Sequence, residues 1–209
     1  MAAFPSIGLT RRRPAGPHVP DVRSVFLVRT QTTAGKDETM DVRHTKLGTA
    51  LGELTLVADG NELTGVYYPH HWYRPAETSF GRYVPAAADP VFRAAGEQLA
   101  EYLGGTRHSF DLPLAARGDD FQQRVWALVR AIPYGQTRSY GELAAELGDG
   151  AQPQQVGQAV GRNPLSVIVP CHRVVGRHGQ LTGYAGGLTR KRFLLHLEEP
   201  APAVAGRLL

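Results

Sequence analysis

Residues 139–161 read SYGELAAELGDGAQPQQVGQAVG, two short helical patterns separated by a glycine-containing turn. Ser139 and Glu142 stand three apart, the spacing at which a serine hydroxyl and a glutamate carboxylate satisfy each other's backbone donors and open a helix. That helix runs through Leu147. Gly148-Asp149-Gly150-Ala151 then turns the chain, and Pro153 takes the first position of a second helix, where its missing N–H costs nothing. Val156 and Val160 recur at helical spacing and face inward, with the end near Gly161. Two helices joined this way make a helix-turn-helix candidate, although a generic helical hairpin has the same pattern. The charge around it favours the first reading. From Gly150 to Leu197 the chain holds Arg162, Arg173, Arg177, Arg190, Lys191 and Arg192 and no Asp or Glu, in a protein of net charge +4. A polyanion suits such a stretch.

Upstream, Asp119 or Asp120 can cap a helix in which Phe121, Val125, Leu128, Val129 and Ile132 recur, ended by Pro133-Tyr134-Gly135. Before that the pattern changes to β. Glu53–Ala58 and Leu63–Tyr68 flank Asp59-Gly60-Asn61, whose turn chemistry predicts a hairpin. Asp89-Pro90 supplies a cap and a first-position proline for a helix Val91–Leu103 that ends at Gly104-Gly105. A last strand is expected around Ser109–Leu112. Residues 1–40, rich in Arg, Pro, Thr and Gly, lack periodicity and read as a disordered leader, with Met40 as a candidate initiator. The organisation expected is leader 1–40, an N-terminal α/β domain 41–117, a second, mainly helical domain 118–200, and a tail 201–209.

The 209 residues can bury a core without staples. A single cysteine excludes an internal disulfide and a cysteine-rich zinc site, and the eight histidines form no helical ligand pair, so no metal is expected. No apolar run approaches the roughly 18 residues of a membrane span, and the N-terminus lacks the apolar core of a secretory signal. A cytoplasmic monomer that makes no membrane contact is expected.

The lone cysteine lies in IVPCHRVVG, residues 168–176. Ser166–Val169 is wholly apolar after its serine and reads as a buried strand that Pro170 stops, placing Cys171 at its end. A free thiol of pKa about 8.5 is only a few per cent thiolate at neutral pH, so nucleophilic work needs a base or a nearby cation. His172 and Arg173 are adjacent in sequence, yet adjacent side chains often diverge. An isolated Pro-Cys-His is also consistent with a small buried core residue.

Asn163-Pro164, Val169-Pro170-Cys171-His172-Arg173-Val174-Val175-Gly176, Gly183-Tyr184-Ala185-Gly186-Gly187-Leu188 and Lys191, with Ile132-Pro133-Tyr134-Gly135 and Ser139-Tyr140, resemble the O6-alkylguanine-DNA alkyltransferases, also called methylated-DNA-protein-cysteine methyltransferases. The resemblance runs without a gap from about Asp119 to Glu198. It implies an α+β protein: a small N-terminal domain with an antiparallel, ribonuclease-H-like sheet, and a helical domain with a winged-helix-like helix-turn-helix. The implied partner is double-stranded DNA containing O6-alkylguanine, with O4-alkylthymine as a further substrate class, and no cofactor. The implied chemistry rotates the base out of the duplex and transfers its alkyl group to Cys171 once and irreversibly. His172 is the implied base through a water, and Glu198 its orienter. Tyr140 donates to guanine N3, and Asn163 ties the turn before the cysteine. The backbone of Cys171, Val174, Tyr184 and Ala185 reads the base, while Gly183, Gly186 and Gly187 permit its close approach and Lys191 supports the loop. Ser139, Gln154, Gln155, Arg162 and Arg173 form the expected DNA-binding set.

Two residues depart from the family pattern. Gln154 stands where an arginine usually fills the gap left by the extruded base, and Ala185 replaces a serine. A glutamine carries no charge to neutralise phosphate, so weaker duplex binding is expected with the thiol chemistry intact. The rival readings are a non-catalytic sensor of alkylated DNA, which Cys171 opposes, and a Cys-His hydrolase, which would need an acyl site and a turnover step.

Overall fold

The computed structural model describes residues 41–199. The expected leader 1–40, the candidate start at Met40 and the tail 201–209 lie outside the described residues. Strand β1 (Val42–Thr49) pairs antiparallel with β2 (Gly52–Asp59), which pairs antiparallel with β3 (Glu62–Tyr67). The β2–β3 hairpin is the one that Asp59-Gly60-Asn61 encodes. Gly60 has φ 55°, in the left-handed region such a turn requires. Strand β4 (Arg82–Tyr83) joins the far side of β1 in parallel, giving the order β3-β2-β1-β4. The three long strands are antiparallel, as expected, and β4 adds a short parallel edge that makes the sheet mixed; a two-residue strand arriving after a long loop leaves no hydrophobic alternation to announce its direction.

Helix α1 (Pro90–Leu103) packs Val91, Phe92, Ala95, Leu99 and Tyr102 inward. Asp89 caps it by accepting from the N–H groups of Val91 and Phe92, and its other oxygen takes a 2.5 Å hydrogen bond from Arg43 of β1. One carboxylate thus sets both the start of α1 and its position on the sheet. The strand expected at Ser109–Leu112 does not form. The Gln98 side chain holds both backbone groups of Asp111 at 2.8 Å, replacing a ladder partner, and the chain reaches the sheet only at a parallel bridge between Leu114 and Leu63.

Helix α2 (Asp120–Arg130) starts from Asp119, whose side chain accepts from Gln122 N–H. Strand β5 (Arg138–Ser139) leads into α3 (Tyr140–Leu147) through the predicted capping box, with both reciprocal hydrogen bonds present. After a turn containing Gly148, Asp149 and Gly150, all at positive φ, α4 (Pro153–Gly161) follows. Trp126 of α2 is buried and donates to the Ala159 carbonyl, fixing α4 against α2.

The run Ser166–Val169 is buried as expected but is not a strand. Val167 adopts φ 72°, and the segment is a turn: Asn163 Oδ1 accepts from Leu165 N–H, Asn163 Nδ2 donates to Val169 O, Val169 N–H donates to Leu165 O, and Ser166 N–H donates to Val66 O of β3. A short apolar run cannot by itself distinguish a buried strand from a buried turn. Cys171–Arg173 forms a single 3-10 turn, then β6 (Val174–Val175) pairs in parallel with β5 beside the two helices. Helix α5 (Leu188–Leu197) ends at Glu198. None of the described helices is long and apolar enough to cross a membrane.

Candidate active site

Cys171 contributes to the lining of a cleft of about 340 Å³, within the usual range for small-molecule sites. One side is α4, through Pro153, Gln154, Gly157, Val160 and Gly161; the other is the loop Thr182–Ala185. Tyr140, at the first position of α3, and Trp72, from the loop after β3, complete it. Tyr140 is half-buried, and its ring rests on Gly157, where an added Cβ would be 3.7 Å away. Thr182 Oγ1 donates to the Tyr140 hydroxyl at 3.1 Å. Burial raises the Tyr140 pKa, so the phenol is protonated at neutral pH and remains a hydrogen-bond donor.

Glu198 is a hub directly after α5. It is 2% exposed, so the solvated helix-end acid that a terminal glutamate suggests is ruled out. His172 Nε2 lies 2.7 Å from Oε1, Arg173 donates through Nε at 2.8 Å and Nη2 at 3.1 Å, Tyr102 donates its hydroxyl to Oε1, and Gly135 N–H donates to Oε2. Burial alone would raise this carboxyl; the hydrogen bonds from His172, Arg173 and Tyr102 outweigh it and hold the pKa at about 2. Gly135 is required to be glycine: its φ is 73°, and a Cβ would stand 2.8 Å from the Glu198 carbonyl oxygen.

A carboxylate facing Nε2 puts the imidazole proton there and leaves Nδ1 as an unprotonated acceptor. That Nδ1 is buried and has no partner among the described residues. Burial lowers the His172 pKa against the pull of Glu198, so the ring is neutral and able to take a proton. Burial likewise pushes the Cys171 thiol up, opposed by the Asn163 amide and the Lys191 ammonium. The sulfur therefore waits as a thiol. Lys191 is fully buried, donates at 2.5 Å to Val174 O, and is brought down to about 8 by burial.

A family profile described as 6-O-methylguanine DNA methyltransferase, DNA binding domain, matches residues 120–200. The methylated-DNA–protein-cysteine methyltransferase of Mycobacterium tuberculosis is 44% identical over 164 residues, covering 78% of this chain and 96% of that protein. The chain belongs to the methylated-DNA–protein-cysteine methyltransferase family. The constitutive methyltransferase of Bacillus subtilis is 39% identical over 160 residues, covering 74% of this chain and 94% of that one. The crystal structure of Mycobacterium tuberculosis OGT in complex with DNA superposes with a TM-score of 0.68 at 46% identity, covering 75% of this chain and 93% of that chain.

In this methyltransferase Cys171, Tyr140, Gln154, Gly183, Tyr184 and Ala185 come together at the cleft, and His172, Glu198, Asn163 and Lys191 lie behind it. Arg173 does not join the DNA-facing set: it is buried, forks onto Glu198 and donates to Ile132 O. Its charge is consumed inside the protein. Ser139, Gln155 and Arg162 remain at the surface of the helix-turn-helix, although Ser139 is occupied with capping and Gln155 Oε1 accepts from Gln152 N–H. Two of the glycines also make room for neighbours within the protein. A Cβ on Gly186 would collide with the Tyr68 ring, and one on Gly183 would stand 2.5 Å from Trp72 Cη2, both aromatic side chains from the N-terminal segment. Gly187, at φ 85°, is needed for its backbone conformation and has open space around it. The Val174 carbonyl is engaged by Lys191. Sequence reasoning missed Trp72, Tyr102 and Thr182. Only Trp72 left a signal: an aromatic pair, Trp72-Tyr73, in an otherwise polar loop.

Proposed function

We propose that Cys171 takes the alkyl group from O6-alkylguanine in double-stranded DNA and keeps it, so that each molecule acts once. The family's activity is repair of O6-methylguanine in DNA by transfer of the methyl group to a cysteine of the protein. The observation that carries the assignment to Cys171 is the placement of the chain's single sulfur in the cleft, next in sequence to a neutral histidine whose Nε2 is held by a buried carboxylate.

The steps follow from the residues. The thiol proton passes through a water to His172 Nδ1, and Glu198 stabilises the imidazolium. The sulfur attacks the alkyl carbon, the C–O6 bond breaks with its electron pair left on guanine, and Tyr140 offers its hydroxyl proton to N3 so that negative charge does not build up on the departing base. The product is a thioether, and with no second thiol in the chain nothing exchanges it off. The helix-turn-helix supplies the duplex contact through Gln154, Gln155 and Arg162, and the protein acts as a monomer without cofactor. Among the described residues no cluster of three or more His, Cys, Asp or Glu side chains could hold a metal.

Incubation with a duplex carrying one O6-methylguanine, followed by peptide mass analysis, tests the assignment. One methyl group per protein on the peptide containing Cys171, absent in Cys171→Ala, is expected. Restored guanine with an unmodified Cys171 would refute it, and would favour turnover chemistry of the hydrolase kind.

A further inference from the structure

The feature that catalytic reasoning leaves unused is Trp72. It is 61% exposed, and its neighbour Tyr73 is 44% exposed, unusual for the two largest aromatic types unless something covers them. Trp72 nevertheless lines the cleft with Cys171 and Tyr140. Its indole reaches from α4 to the opposite loop: an added Cβ on Gly161 would be 4.0 Å from Trp72 Cε3, and one on Gly183 would be 2.5 Å from Cη2. Tyr140 spans the same gap one turn earlier, with its ring against Gly157 and its hydroxyl bonded to Thr182. Gly157 and Gly161 are four residues apart, so they share a face of α4 and are separated by about 6 Å along its axis.

The loop carrying Trp72 is anchored. The Arg162 guanidinium, just after α4, stacks 4.4 Å above the Tyr73 ring, and the buried His71 accepts from Tyr73 N–H through Nδ1 while packing edge-on against Tyr67. Nothing comparable fills the position of Gln154, whose uncharged side chain is exposed.

We propose that Trp72 forms one face of the slot that receives the extruded base and is a specificity-determining residue which stacks on the alkylated guanine, while Tyr140 meets the edge of that base. Stacking supplies binding in the extruded state that the missing arginine does not. This rests on the reading that Cys171 is the acceptor for a base turned out of DNA.

Three proteins decide it: the unaltered chain, Trp72→Ala and Trp72→Phe, each reacted with duplex DNA carrying O6-methylguanine and with free O6-benzylguanine. Trp72→Ala is expected to lower the transfer rate about tenfold on both, equivalent to about 1.4 kcal/mol, while Trp72→Phe stays within about threefold of the unaltered chain. A loss confined to the alanine variant, with unchanged thermal unfolding, separates stacking from a structural role. In Cys171→Ala protein, the emission of the exposed Trp72 is expected to be quenched by the damaged duplex and not by the undamaged one; the other tryptophan, Trp126, is buried and serves as the internal reference. Equal or faster transfer by Trp72→Ala, or emission indifferent to damage, would overturn the slot. If the unaltered chain transfers no alkyl group to Cys171, the underlying assignment fails instead, and the two failures are distinct.

Discussion

At the scale of single residues, the site is a balance between burial and a few charges. Burial pushes Cys171 up and His172 down, so at neutral pH the pair is thiol and neutral imidazole, and in the proposed reaction the thiolate is formed only as the proton moves. Under the proposed mechanism the rate of transfer depends on His172 being unprotonated. Its folded pKa lies below about 6.5, so the rate is expected to fall on acidification below about pH 6.5 and to be flat above it until Lys191, which favours the thiolate, loses its charge near pH 8. An acid-side midpoint above pH 7 in a pH–rate profile would contradict this. Glu198→Gln probes the partner. An amide can present its N–H₂ or its oxygen to Nε2, and the loss of the negative charge removes the reason for the proton to stay there. The tautomer with Nδ1 unprotonated is no longer enforced, and transfer is expected to slow by about a hundredfold or more. Arg173 would also lose its counter-charge in a buried site, costing about 3–5 kcal/mol measured by urea unfolding. Full activity in this variant would remove Glu198 from the mechanism.

Secondary-structure elements decide where these residues stand, and their ends were the most legible part of the sequence. Asp89, Asp119 and the Ser139–Glu142 pair announce α1, α2 and α3 because a cap is a local chemical event, complete within four residues. The segments that resisted reading are those whose backbone is satisfied from a distance. Gln98 stands in for a strand partner at Asp111, Asn163 folds Ser166–Val169 into a turn, and Trp72 reaches the cleft only because a loop from the N-terminal segment lies against α4. Buried Arg173 misled for the same reason, since its fork onto Glu198 joins positions with nothing in sequence to connect them. The helix-turn-helix carries one prediction of its own. Gln154 is exposed near the start of α4, where an arginine would add a cation to the DNA-facing surface. Gln154→Arg is expected to tighten duplex binding and to steepen its dependence on log salt by about 1, as for one extra neutralised phosphate. The rate with free O6-benzylguanine should stay unchanged. Equal duplex affinity at two salt concentrations would show that position 154 does not meet DNA.

Across the whole molecule, the proposed catalytic cluster is clamped by the N-terminal segment. Tyr102 of α1 donates to Glu198, Tyr68 meets the Tyr184 hydroxyl at 3.0 Å, and Arg190 of α5 donates to Leu51 O at 2.6 Å while its guanidinium lies over the Tyr68 ring. Folding therefore buries titratable groups from both segments together, and their titration sets how stability depends on pH. His71 is lowered to about 4 by burial, and His172 is lowered for the same reason. Below the unfolded value of about 6.5 the unfolded chain binds protons that the folded one refuses, so stability falls with pH. For His71 that loss begins near pH 6.5 and is complete as pH passes about 4, amounting to about 3 kcal/mol. Glu198, held at about 2, contributes stability that is present above the ordinary carboxylate pKa of about 4.3 and disappears as pH falls toward 2. The two windows follow one another and have the same sign. Unfolding free energy from urea titrations is thus expected to be highest near neutrality and to decline in sequence, first over about pH 6.5 to 4 and then below it. His71→Phe, which keeps a ring against Tyr67 and removes the titration, should flatten the first decline by about 3 kcal/mol and leave the second intact. A first decline of the same size in that variant would assign it to His172 alone, and stability constant from pH 7 to pH 4 would mean that neither histidine is held neutral by the fold.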